Sequence, residues 1–182
     1  MTEDDTSYIL DACAIIAVLN TENGAEKVIG LLEKAEAGEI IVLMHRANLL
    51  EVYYDRWKVM NADVAQAALR KIHASPITIV EPDTDTFLHE AARFKVVYGI
   101  PLGDCFLCAT ASIFHGTIVT SDHNDLDPVE EAEQHPFLWI RPKPELKPKE
   151  PTLREKAERR AEEAEHALAE AKRRIAELEA KQ

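Results

Sequence analysis

Five short apolar runs, at 8–10, 40–44, 77–80, 117–120 and 137–140, are separated by stretches whose apolar residues recur at helical spacing. This alternation leaves little freedom. A helix between consecutive strands is a crossover connection, so the strands pair in parallel and helices cover both faces of the sheet. Helices are predicted at 12–19, 24–37, 47–60, 63–74, 83–98 and 103–115. Val28, Leu31, Leu32 and Ala35 mark the inner face of the second, and Leu50, Tyr54 and Trp57 form a stripe on the third. The expected body, residues 1–140, is therefore an α/β fold with a mostly parallel central sheet. It carries no internal repeat and no glycine-rich phosphate loop of the two common kinds.

The alternation stops at residue 141. Residues 141–151 hold four prolines and read as an extended linker. Thr152 and Glu155 form a capping box behind Pro151, so a helix is expected from 152 to 182. Ala161, Ala164, Leu168, Ala171, Ile175 and Leu178 alternate spacings of 3 and 4, as a coiled-coil seam does. The seam supports weak self-association or docking. The same stretch also reads as a solvated single helix held by pairs such as Glu155–Arg159 and Glu170–Arg174.

Charge narrows the function. The chain of 182 residues has 33 acidic and 21 basic side chains, a net of −12. Residues 1–140 hold 23 acidic and 9 basic side chains, a net of −14, so the whole excess lies in the body and the tail leans basic. Such a body does not grip nucleic acid by bulk positive charge. No apolar run approaches a membrane span. The first residues are acidic where a signal peptide is basic, and three cysteines give no disulfide framework, so a cytoplasmic setting is expected.

In parallel sheets, sites form beyond the carboxyl ends of the strands. Asp11 follows the first strand, Asp122 follows the fourth, and Asp104 opens the helix before the fourth. Each has an ordinary explanation. Asp11 and Asp104 fit helix caps, Asp122 fits a turn, and Glu51 fits an exposed helix face. The flanking residues argue otherwise. Asp11 is embedded in Tyr-Ile-Leu-Asp-Ala-Cys-Ala-Ile-Ile, Glu51 in Ala-Asn-Leu-Leu-Glu-Val-Tyr-Tyr, and Asp104 in Pro-Leu-Gly-Asp-Cys-Phe-Leu-Cys-Ala-Thr-Ala, while Asp122 follows Thr-Ile-Val-Thr-Ser.

This series of four acids resembles the PIN-domain nucleases, most closely the toxin ribonucleases of bacterial type II toxin–antitoxin modules. The resemblance covers about residues 7–142. It implies a PIN-like three-layer α/β/α sandwich in which Asp11, Glu51, Asp104 and Asp122 hold Mg²⁺ or Mn²⁺ and cleave RNA. It implies a small antitoxin as partner, and a homodimer. Some relatives carry a further acid where this chain has Cys108. Asp55, one turn beyond Glu51, and Asp125 or Asp127 are candidates to supplement the cluster.

The chemistry also stands apart from the resemblance. Four carboxylates in one cleft cannot all stay ionised without a cation. All-oxygen ligation suits Mg²⁺ or Mn²⁺, which activate water against a phosphodiester. Asp11 and Asp104 are the first choices as direct ligands, Asp122 as a direct or water-mediated one, and Glu51 as the residue that orients water or completes a second metal position. Two other functions fit the sequence: a PIN-fold interaction module using its helical tail, and a nuclease for RNA processing or DNA. A zinc site from Cys13, Cys105 and Cys108 with a histidine competes with simple buried thiols, and the buried-thiol reading is preferred. His45 and His123 near strand ends read as surface or capping residues, and the stripe that includes Tyr54 and Trp57 as core or dimer interface.

Overall fold

The computed structural model describes residues 6–133 and 135–143. The helix expected at 152–182, its seam, and the linker beyond residue 143 lie outside the described residues. Five strands, β1 (Ser7–Leu10), β2 (Ile41–His45), β3 (Thr78–Val80), β4 (Thr117–Thr120) and β5 (Phe137–Trp139), form one sheet in the order β3-β2-β1-β4-β5. Every pairing is parallel. The helices are α1 (Ala12–Asn20), α2 (Ala25–Glu36), α3 (Arg46–Val59), α4 (Ala62–His73), α5 (Asp85–Tyr98), α6 (Leu102–Phe114) and α7 (His123–Ala132).

Strand residues alternate between two cores. Leu10, Val42, Met44 and Val119 pack with α1, α2 and α3 on one face. Ile9, Leu43 and Ile118 pack with α5, α6 and α7 on the other. Each such aliphatic side chain contributes about 1.5–3 kcal/mol when fully buried. The result is the three-layer α/β/α sandwich expected from the strand–helix alternation.

Three elements differ from the sequence reading. The acid-rich segment after β4, where no helix is predicted, is helix α7. Its hydrophobic pattern is sparse, with Leu126 and Val129 the buried residues, and Pro128 lies inside it. Asp122 starts it by accepting hydrogen bonds from the Asn124 and Asp125 amides at 3.1 and 3.3 Å. Asp104 is not a cap. It is the third residue of α6, whose N-cap position is Pro101. The Leu50, Tyr54 and Trp57 stripe faces out, each residue more than half exposed, while α3 buries Asn48, Leu49, Val52 and Arg56. The buried face of α3 is part polar because Asn48 donates to the Gly103 carbonyl and Arg56 donates to Asn20 and Asp55.

Candidate metal centre

The strand order reverses between β1 and β4, so the connections leaving their carboxyl ends turn to opposite faces of the sheet and leave a crevice. Asp11 and Asp122 enter it from those two ends. The cleft, about 320 Å³, is lined by Asp11, Glu51, Asp55, Asp104, Asp122 and Asp125, with Cys13, Tyr54 and Pro101 among the remaining wall residues. All four acids singled out from sequence therefore converge on one cavity, and Asp55 and Asp125 join them. Asp127 does not line it; His123 bonds it at 2.7 Å and Lys143 pairs with it.

Asp11 occupies the N-cap position of α1 yet makes no side-chain cap. Its Oδ2 instead accepts from the Thr120 hydroxyl at 2.7 Å and the Cys13 thiol at 3.0 Å. Thr120 Oγ1 in turn accepts the Asp122 amide at 3.0 Å, so the ends of β1 and β4 are tied through one hydroxyl. Glu51 reaches the cleft because position 103 is glycine: a Cβ there would stand 2.0 Å from Glu51 Oε1. Asn48, fully buried on the same helix, donates to the Gly103 carbonyl at 3.3 Å and fixes α3 against α6. Carboxylate oxygens of Asp104, Asp122 and Asp125 come within 4.8 Å of one another.

The electrostatics follow from this crowding. Asp104 is pushed up to about 8, first by burial and then by the charges of Asp11, Asp122, Glu51 and Asp125. Burial raises Asp11 against the opposing pull of its Cys13 and Thr120 bonds. Glu51 is raised by burial and by the Asp11 charge. The Cys13 thiol is pushed up to about 12 by burial and the neighbouring Asp11, so it stays protonated and donates. Among the described residues, no Lys or Arg lines the cleft. Asp55 pairs with Arg56. The remaining carboxylates form a partly buried group with no cationic side chain among the described lining residues. That group fits a hard divalent ion, which takes oxygen donors and relieves their repulsion.

Other candidates resolve differently. Cys105 and Cys108 are fully buried thiols. Among the described residues, Asp104, Asp122 and Asp125 form the one His/Cys/Asp/Glu group spaced to hold a metal, so the zinc alternative is not formed there. His45 caps α3 by accepting the Ala47 amide at 3.0 Å, and its ring stacks on Phe87. His123 bonds Asp127 and the Arg141 carbonyl. Gly103, Asn48 and Thr120 escaped the sequence reading. A glycine immediately before an acid in a helix's first turn was the available signal for the first of them.

A parallel α/β sandwich with a carboxylate cluster at its switch point defines a scaffold suited to holding a hard divalent ion. Residues 8–131 match the model of the PIN domain family, and the chain belongs to that family. Solved structures agree on the fold. A VapBC complex of Rickettsia felis bound to a promoter DNA fragment superposes with a TM-score of 0.58 at 14% identity, covering 73% of this chain and 98% of that one. A toxin–antitoxin complex of Klebsiella pneumoniae gives 0.54 at 15% identity, covering 75% and 99%. A toxin of Mycobacterium tuberculosis that cleaves the sarcin–ricin loop gives 0.51 at 13%, covering 66% and 94%. No curated protein sequence matches the chain.

Proposed function

We propose that this protein is a metal-dependent endoribonuclease acting as the toxin of a toxin–antitoxin pair. The observation that carries the reading is the convergence of Asp11, Glu51, Asp104, Asp122 and Asp125 on one cleft with no Lys or Arg among its described lining residues. Mg²⁺ or Mn²⁺ bound there would supply a water of lowered pKa and charge neutralisation at the phosphate. Asp104, Asp122 and Asp125 are the residues whose oxygens are close enough to share one ion. Asp11, braced by Thr120 and Cys13, adds a further oxygen to the same cleft. Glu51, set across from them on α3, orients the attacking water and takes up its proton as the phosphodiester P–O bond breaks. Tyr54, exposed on the wall, is an aromatic side chain on which a base could stack.

The acidic body accounts for the expected partner. A small antitoxin placing an Arg or Lys among the carboxylates would pair with them and exclude the metal. A toxin–antitoxin complex is among the structures that share this fold. The homodimer belongs to the same reading, with the exposed Leu50 and Trp57 of α3 as apolar surface available to it.

Single-stranded RNA and DNA of one sequence, each incubated with Mn²⁺ or EDTA, test the reading. Cleavage of RNA alone, abolished by EDTA and by Asp11→Asn, is expected. Cleavage of DNA would move the protein to a DNA-directed nuclease. No cleavage of either, with a partner retained by the chain, would make it an interaction module.

A further inference from the structure

The last described segment is bolted to the cleft. Arg141 Nη1 donates to Glu22 at 2.9 Å and Nη2 donates to Ser121 Oγ at 2.7 Å, while the Arg141 carbonyl accepts from His123 at 3.0 Å. Ser121 then approaches Cys13 twice, its amide at 3.1 Å and its hydroxyl at 3.3 Å from Sγ. Cys13 Sγ lies 3.0 Å from Asp11 Oδ2.

The donor inventory gives this chain one direction. A guanidinium only donates, so Ser121 Oγ accepts from it and its own proton is free to point to Cys13. Cys13 Sγ accepts both Ser121 groups, and its single proton goes to Asp11 Oδ2 at 3.0 Å, the nearer acceptor, since Thr120 Oγ1 lies at 3.5 Å. An ionised carboxylate only accepts, so the sequence Arg141, Ser121, Cys13, Asp11 closes without a conflict. With Asp11 ionised, turning the Cys13 proton to Ser121 would leave the Cys13–Asp11 contact without one.

We propose that Arg141 is a positioning residue for Asp11, acting through Ser121 and Cys13 to hold the carboxylate in the orientation that receives the divalent cation. The inference rests on the metal-site reading above. It adds that the chain's exit from the body, just before the proline-rich segment, is coupled to the first acid of the cleft. Residues holding a ligand by hydrogen bonds typically change metal affinity by about 10–100-fold when removed.

The test is a double-mutant cycle on the full chain, read as Mn²⁺ affinity by calorimetry. Arg141→Ala and Cys13→Ala should each weaken Mn²⁺ binding about tenfold. The double variant should be no weaker than either alone, because both cut one chain. Cys13→Ser keeps a donor and acceptors at that position and should restore most of the affinity. Where Arg141→Ala fails to fold, Arg141→Lys replaces it, with a smaller loss in the same direction. Losses that multiply to about a hundredfold in the double variant would overturn the relay. So would an Arg141 variant that unfolds at lower temperature yet binds Mn²⁺ as wild type does. If the wild-type protein takes up no Mn²⁺, the metal reading fails. The relay is then read from the same cycle in metal-free urea unfolding, where non-additive losses support it and additive ones contradict it.

Discussion

Gly103 and Glu51 occupy one space: a Cβ added to the glycine would lie 2.0 Å from Glu51 Oε1 and 2.9 Å from its Cδ. The glycine is thus the seat of the carboxylate that α3 delivers to the cleft. Gly103→Ala should push Glu51 aside and lower nuclease activity by about 10²-fold, the usual effect of a displacement near 1 Å at a reacting centre. The crowding should cost about 1–3 kcal/mol in urea unfolding. In a Glu51→Ala background the same glycine change should cost far less stability, since its clash partner is gone.

Asp104 sets a pH signature for the metal-free protein. Its folded-state pKa is raised to about 8, above the unfolded value near 4. The folded state therefore binds more protons between those limits. Asp104's contribution is fully present below about pH 4 and is lost as pH rises towards 8. Thermal unfolding in EDTA should show a falling Tm across that window, and Asp104→Asn should flatten the slope. Mn²⁺ should raise the wild-type Tm at pH 8 and leave the Asn variant nearly unmoved.

The opposite sign is expected at the far side of the domain. Glu133 accepts from Arg93 at 2.5 Å and from the Tyr98 hydroxyl at 2.8 Å, and the Arg93 bond is the main cause of its lowered pKa. Its stabilisation is present above the ordinary glutamate pKa and is lost as pH falls through the depressed one. Glu133→Gln should cost about 1 kcal/mol at pH 7. The difference from wild type should vanish in strongly acidic solution.

Asp55 shares the cleft wall yet is committed elsewhere. Its Oδ2 receives both Nε and Nη2 of the buried Arg56, at 2.9 and 2.5 Å. Asp55→Asn should lower stability by roughly 1–3 kcal/mol, because a buried guanidinium loses its counter-ion. Activity of the folded variant should change less than about threefold, well below the loss expected at a ligand. A loss comparable to that of Asp104→Asn would instead place Asp55 in the metal site.

Much of this was legible in the residues. Strand–helix alternation carried the sheet, because parallel strands are short apolar runs that need crossovers. Asp11, Glu51, Asp104 and Asp122 stood out by their apolar flanks, and all four line the cleft. What stayed hidden depends on three dimensions. Helix α7 buries few residues and contains Pro128, so its period is faint. Asp125 joins the cluster only because Asp122 caps that helix and turns its first turn inward. Asn48 and Arg56 read as ordinary polar positions, yet α3 buries both. Asn48 reaches the Gly103 carbonyl and Arg56 reaches Asn20 and Asp55, pairings that no hydrophobic period reveals.

The central claim is that the clustered carboxylates hold one divalent cation. A crystal soaked in Mn²⁺ and measured at the manganese absorption edge tests it most directly. The account predicts an anomalous peak between the carboxylates of Asp104, Asp122 and Asp125, with Asp11 at its border, and no such peak in Asp104→Asn. Saturating Mn²⁺ that leaves this cleft empty, or that binds only elsewhere on the chain, would contradict it.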